Sequence, residues 1–165
     1  MNYGTIKPCD IANGEGVRVS VFVSGCPHHC KGCFNGELWD YDAGELFTSE
    51  TAMEIIDLCA GGYISGLSVL GGEPLDPKNI QNVTILAHVF KKFFPYKTIW
   101  CYTGYNFEEV SHLKIMEHID VLVDGKFVEE LKDISIKFRG SSNQRIIDVK
   151  KSRESGKVVL RKDLM

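Results

Sequence analysis

The sequence predicts an α/β fold: a parallel sheet that closes only partway, as a short, open β/α barrel. Three observations predict it. From residue 17 to 124, short apolar runs, the first alternating or β-branched almost throughout, alternate with segments of helical periodicity. Each of the four apolar runs stops at an unusual loop containing glycine. The length, 165 residues, is well short of the ~250 of a complete eightfold barrel and sets one domain, residues 1–165, as the expectation.

Residues 3–7 read as an edge strand, and Gly14-Glu15-Gly16 as a turn. Residues 17–23 form the first clear strand, with Arg18 at its head. Residues 34–47 are a polar, glycine-containing connection. A helix is expected from Ser49, its presumed cap, with Ala52, Ile55, Ile56 and Cys59 on one face, and it ends at Gly61-Gly62. Residues 67–70 are the second strand. Asp76 is expected to cap the next helix, with Pro77 in its first turn. Val83, Leu86, Ala87, Phe90 and Phe94 make its buried stripe, and Pro95 closes it. Residues 98–102 are the third strand. Asn106 caps a third helix running to about His118, with Phe107, Val110, Leu113 and Met116 inward. Residues 121–123 are the fourth strand. In the tail, residues 145–149 and 157–160 read as short strands, a hairpin around Ser155-Gly156.

In parallel α/β proteins ligands bind at the carboxyl ends of the strands. Those ends carry Cys26-Pro27-His28-His29-Cys30-Lys31-Gly32-Cys33, then Gly71-Gly72-Glu73-Pro74, then Thr103-Gly104-Tyr105, then Asp124-Gly125-Lys126. One mouth is therefore expected. There, Gly71 and Gly72 would let a ligand lie against backbone, and Glu73 would meet a positive group on it. Asp124 would accept from hydroxyls, Lys126 would pair with a carboxylate, and Phe34 would offer a flat apolar face to a heterocycle. Each also has a purely structural use: Gly-Gly-x-Pro and Asp-Gly are ordinary turns, and Lys126, Arg139 and Arg145 could be solvated charges.

The cysteine loop carries the chemistry. Cys26, Cys30 and Cys33 follow a strand directly, and Gly25, Pro27 and Gly32 keep the loop irregular, so several thiolates can face one point. A cubane iron–sulfur cluster takes one cysteine per iron; three leave one iron open to an outside ligand. Zinc held by these cysteines with His28 or His29 as fourth ligand is the other reading. Structural zinc sites usually come as two separated pairs, and no second CxxC pair occurs.

The bulk composition excludes other classes. A hydrophobic fraction of 44% with 25% charged residues is that of a soluble globular protein. A net charge of −3 gives no basic footprint for nucleic acid. No apolar run approaches the ~20 residues that span a bilayer. The first residues, Met1-Asn2-Tyr3-Gly4, resemble neither a signal nor a transit peptide, so the expected compartment is a reducing cytoplasm. The six cysteines are then no disulfide framework. Cys9, Cys59 and Cys101 read as structural or incidental, the last two as small buried hydrophobes.

CxxxCxxC after the first strand, with Gly-Gly-Glu-Pro after the second, resembles the radical S-adenosylmethionine superfamily. Asn13-Gly14-Glu15-Gly16-Val17-Arg18 ahead of Ser24-Gly25-Cys26 resembles its glycyl-radical-enzyme activases. Further stretches are similar to one branch, the activases of anaerobic ribonucleoside-triphosphate reductase: Cys33-Phe34-Asn35, Trp100-Cys101-Tyr102-Thr103-Gly104-Tyr105, Asp120-Val121-Leu122-Val123-Asp124-Gly125-Lys126 and Arg139-Gly140-Ser141-Ser142-Asn143-Gln144-Arg145. The likeness runs over roughly residues 3–148. It implies a partial barrel of the radical S-adenosylmethionine type, with a 4Fe–4S cluster on Cys26, Cys30 and Cys33. S-adenosylmethionine would lie beside Gly71, Gly72 and Glu73, with Asp124 and Lys126 toward its ribose and carboxylate. Gly32 stands where the common motif has an aromatic residue; Gly32, Cys33 and Phe34 are placed on the cofactor side. The implied reaction is reductive cleavage of S-adenosylmethionine to a 5′-deoxyadenosyl radical, which makes a glycyl radical on the reductase. A flavodoxin-like or other low-potential donor would supply the electron. The alternatives are an activase of another glycyl-radical enzyme, a small-molecule radical enzyme, or a zinc-stabilised binding module without catalysis.

Overall fold

Alternation decides the architecture. The computed structural model describes all residues, 1–165. It places β1 (Asn2–Asp10), β2 (Val17–Val23), β3 (Glu45–Leu46), β4 (Ile64–Gly71), β5 (Thr98–Tyr102), β6 (Val121–Asp124) and β7 (Arg145–Asp148) in one mixed sheet of order β3-β1-β2-β4-β5-β6-β7. The central pairs β2–β4, β4–β5 and β5–β6 are parallel, as the alternating pattern requires. The antiparallel pairs lie toward the edges: β1 on β2, β3 on β1 and β7 on β6.

Side chains leave a strand on alternate faces, and the two faces differ here. Val19, Val21, Val23, Leu67, Val69, Ile99, Cys101 and Leu122 point to one side. They form a single core with Ile55 and Cys59 of α1 (Ser49–Cys59), Leu86 and Phe90 of α2 (Ile80–Phe93), Phe107 and Val110 of α3 (Phe107–Val110) and Val149 of α4 (Val149–Ser155). The opposite parity, Arg18, Ser20, Phe22, Ser68, Leu70, Trp100, Tyr102 and Val123, stays outside that core. The helices that contribute to the core therefore share one face of the sheet, and the other face is left to form a concavity.

Arg18 on that other face is 1% exposed. It has no carboxylate partner: its guanidinium donates to Ser68 Oγ, Thr98 Oγ1 and the carbonyl oxygens of Glu15, Leu67 and Thr98. Burial pushes its pKa down to about 10, so it remains charged at neutral pH and knits the sheet to the turn at residues 13–16. No helix is long and apolar enough to cross a membrane.

Four sequence expectations are corrected. Thr48, not Ser49, caps α1, in a reciprocal box with Thr51. Asp76 shapes a turn, accepting from Lys78 N at 2.8 Å, and α2 begins only after Asn79. The third helix stops at Val110, and a separate 3-10 turn covers Lys114–Glu117. Its apolar positions, Phe107, Val110, Leu113 and Met116, recur every third residue. On an α-helix that spacing drifts by about 60° a step, so the four cannot share a face, whereas a 3-10 turn tolerates the repeat. The tail is no hairpin. Asp148 caps α4 by accepting from Lys151 N at 3.0 Å, and Gly156, with φ 70°, ends it. Residues 157–160 add one bridge, Leu160 to Ile147.

Candidate active site

The loops after β2, β4, β5 and β6 meet at one cavity of about 540 Å³, within the range of small-molecule sites. Cys26, Cys30 and Cys33 line it together with Phe34, Gly71, Gly72 and Glu73. Backbone bonds fix how the cysteine loop starts. Gly72 N donates to Val23 O at 2.7 Å, Glu73 N to Gly25 O at 2.7 Å, and Cys26 N to Trp39 O at 3.1 Å. Asn79 Nδ2, buried, donates to Ser24 O at 2.9 Å and Glu73 O at 3.0 Å, tying the ends of β2 and β4 together. This use of Asn79 gave no signal in the sequence.

Gly71 and Gly72 also meet a packing requirement. Gly71 has φ 106°, and a Cβ there would stand 2.7 Å from Val23 O. A Cβ on Gly72 would overlap the Gly25 carbonyl oxygen. Their missing side chains first let the diglycine turn close onto the cysteine loop; the approach of a ligand follows from that.

All six cysteines are free thiols. Cys26 is buried, and Cys30 and Cys33 are half-buried. Burial pushes the Cys26 and Cys30 thiols up, partly offset at Cys26 by backbone N–H groups of His28 and His29 and at Cys30 by that of Phe127. Both are neutral S–H groups at neutral pH, so a metal must displace their protons. Asn35 N–H donates to Cys33 Sγ at 3.4 Å. The histidines are committed elsewhere. His28 Nε2 bonds Glu73 Oε2 at 2.8 Å, and the His29 ring stacks on Trp39 at 4.6 Å and 6°. Three cysteines on one loop, with both neighbouring histidines engaged elsewhere, give a donor set that fits a cluster held by three thiolates.

Three expected residues stand outside the cavity. Parity explains one. Leu122 faces the helices, so Asp124, two residues on, faces them too. It is 1% exposed; its Oδ2 accepts from Phe107 N at 2.7 Å, and it pairs with Arg145, whose Nε lies 3.0 Å from Oδ1. Asp124 thus anchors the start of α3. Lys126 lies past the strand end and the turn at Gly125, exposed beside Asn106 and Glu109, while Gly125 and Phe127 line the cavity. Gly32 faces the Glu129 side chain. Phe34, 55% exposed, packs on Phe127 at 5.2 Å, with Lys132 Nζ over its ring at 4.9 Å. Glu73 is present but saturated: besides His28 it accepts from Leu75 N at 2.9 Å, Thr103 Oγ1 at 2.8 Å and Gly104 N at 2.8 Å.

Sequence reasoning missed Tyr102 and left Arg139 undecided. Both line the cavity, and Tyr102 OH, Arg139 Nε and Trp39 Nε1 are buried without partners. Burial keeps the Tyr102 phenol protonated. Arg139 Nη1 donates to Gln144 O at 3.1 Å, and Gln144 Nε2 to Gly125 O at 2.9 Å, so the loop over residues 139–145 is tied to the end of β6. Three orphaned donors, apolar walls from Phe22 and Leu70, and a single carboxylate already saturated describe a site for a ligand rich in acceptors. Cys59, by contrast, is fully buried among core side chains of the helix face. Cys59→Ala is expected to leave iron content after anaerobic reconstitution unchanged and to cost about 1 kcal/mol in urea denaturation.

Three free thiols on one loop at the end of a parallel strand, lining one cavity with the diglycine turn, point to a class: an iron–sulfur protein on a β/α scaffold. The sequence profile of the family described as "4Fe-4S single cluster domain" matches residues 12–147. Among relatives, the anaerobic ribonucleoside-triphosphate reductase-activating protein of Enterobacteria phage T4 is 43% identical over 146 residues, covering 88% of this chain and 93% of that protein. The proteins of the same name from Escherichia coli K12 and Haemophilus influenzae are 43% and 42% identical, covering 87% and 88% of this chain and 96% and 97% of theirs. The chain belongs to the family of anaerobic ribonucleoside-triphosphate reductase-activating proteins.

Proposed function

We propose that the chain activates an anaerobic ribonucleoside-triphosphate reductase by reductive cleavage of S-adenosylmethionine at a 4Fe–4S cluster. The observation that carries this reading is the meeting of Cys26, Cys30 and Cys33 with the diglycine turn in one cavity. When bound, the cluster would supply the one electron that breaks the sulfonium C–S bond, releasing methionine and a 5′-deoxyadenosyl radical, which would take a hydrogen atom from a glycine Cα of the reductase to give 5′-deoxyadenosine and the glycyl radical. The protein's part is to hold, orient and exclude water. Cys26, Cys30 and Cys33 would each bind one iron, leaving the fourth for the methionine amino and carboxylate groups. The backbone at Gly71 and Gly72 would border that end. Phe34 and Phe22 would flank the heterocycle, and the donors Tyr102 and Arg139 would meet its polar groups. Asp124 and Lys126 have no part in this assignment. No general base is needed, because a hydrogen atom moves and not a proton.

The scaffold suits the task. β2, β4, β5 and β6 are adjacent in chain order without reversal, and the helices that join the core lie on one face. This supports a partial, open barrel of the radical S-adenosylmethionine type over residues 1–165. An open barrel admits a loop of a large protein substrate, and glycine presents a Cα with no side chain in the way. The electron would come from a flavodoxin-like or other low-potential donor in a reducing cytoplasm.

The test is anaerobic incubation of reconstituted protein with S-adenosylmethionine, reductant and candidate partners, read by electron paramagnetic resonance. The expected result is a glycyl radical on the anaerobic ribonucleotide reductase. A radical only on a different glycyl-radical enzyme, or turnover only of a small molecule, would overturn it.

A further inference from the structure

One carboxylate links three of the four loops. Glu73 is 1% exposed and carries no free lone-pair direction toward the cavity that is not already used. Its Oε1 takes Leu75 N and Thr103 Oγ1; its Oε2 takes Gly104 N and His28 Nε2, the last two at 2.8 Å each. A carboxylate only accepts, so His28 Nε2 carries the proton. His28 sits midway between Cys26 and Cys30, and its side chain is 7% exposed. Its ring stands edge-on to Tyr105 at 4.6 Å and 74°. A Cβ on Gly104 would overlap the His28 ring. The β5 turn is thus shaped around the imidazole on two sides, while the bond to Glu73 fixes its far end.

We propose that His28 is a positioning residue: through Glu73 it staples the three-cysteine loop to the turns after β4 and β5, so that the Glu73 carboxylate serves the loop and not a group on the ligand. The physical argument is rigidity. Gly25 has φ 92° and Gly32 φ 72°, and His29 itself adopts φ 46°, so the loop backbone has little regular structure of its own. Inside residues 26–33 the backbone bonds only once to itself, Cys33 N to Cys30 O. The side-chain bond from His28 reaches the neighbouring turns from between two of the thiols. It holds Cys26 and Cys30 at a fixed distance from the diglycine turn, as the outer partner of a metal ligand orients it.

The inference rests on the cysteine loop holding the cluster. The test compares His28→Leu with His28→Gln, two side chains of similar size of which only glutamine can donate to Glu73, and adds Glu73→Gln and His28→Leu/Glu73→Gln. Each protein is reconstituted anaerobically with iron and sulfide. Two quantities are read: the rate of iron loss to a chelator and the dissociation constant for S-adenosylmethionine. His28→Leu and Glu73→Gln are expected to lose iron about tenfold faster than the unaltered chain, the scale for removing an outer partner of a metal ligand. The double variant should fall short of the sum of the two singles, because the His28–Glu73 bond can be lost only once, and His28→Gln should return most of the way. Iron loss at the unaltered rate in His28→Leu, or a weaker dissociation constant in Glu73→Gln with no change in iron loss, would overturn the staple. An unaltered chain that takes up no iron and sulfide would instead overturn the cluster reading, so the two failures are distinct.

Discussion

Cys30→Ser is expected to abolish both the cluster and S-adenosylmethionine cleavage, and to leave a folded protein. Serine keeps the size of the side chain, but its hydroxyl is a far poorer iron ligand than a thiolate. Two remaining thiols cannot hold a cubane that already lacks a fourth cysteine. Cys30 is half-buried on an irregular loop and has no place in the core, so its replacement should change the stability of the metal-free protein by less than about 1 kcal/mol. Iron and sulfide analysis, product methionine and a urea transition check the three statements separately. Retained cleavage in Cys30→Ser would refute its assignment as a ligand.

Asp124→Ala is expected to have the second large effect, on stability. Asp124 is 1% exposed and joins Arg145 to the N-terminus of α3, accepting from Phe107 N at 2.7 Å. Removing it leaves the Phe107 N–H and part of the guanidinium without a partner inside the protein. Breaking a buried pair from one side costs about 3 to 5 kcal/mol. The lower end is expected, since Arg145 keeps Glu108 at 2.9 Å. Urea denaturation of the metal-free protein measures it. If Asp124 instead bound the ribose of S-adenosylmethionine, Asp124→Ala would weaken that affinity and leave the urea midpoint in place.

The difference between those two residues shows what the sequence could disclose. Thiols at CxxxCxxC spacing were legible because the spacing itself is the chemistry. β2, β4, β5 and β6 were legible because they are short apolar runs set between helical stretches, each running into a glycine-containing loop. Asp124 looked equivalent to the cysteines because it also follows a strand. Its parity with Leu122 already assigns it to the helix face, and the same rule, applied to Trp100 and Tyr102, turns Tyr102 into the cavity. Helix boundaries were harder for a local reason. The three-residue repeat from Phe107 to Met116 mimics a helical stripe over a short window. The tail was misread because Gly156 marks a helix end as readily as a hairpin turn, and the cap that decides between them is Asp148 accepting from Lys151 N. The hub at Glu73 and the brace at Asn79 were beyond reach: the partners on the other loops, His28, Thr103, Gly104 and Ser24, lie 30 to 55 residues away in the chain and meet only once the sheet has formed.

The central claim is that three thiols hold a cubane whose fourth iron is open to S-adenosylmethionine. It is tested most directly by the electron paramagnetic resonance spectrum of the anaerobically reconstituted, reduced protein, recorded with and without S-adenosylmethionine. The account predicts iron with matching sulfide, a reduced-cluster signal, and a shift of that signal when S-adenosylmethionine binds. Stoichiometric zinc without sulfide, or a cluster signal that S-adenosylmethionine leaves unmoved, would contradict it.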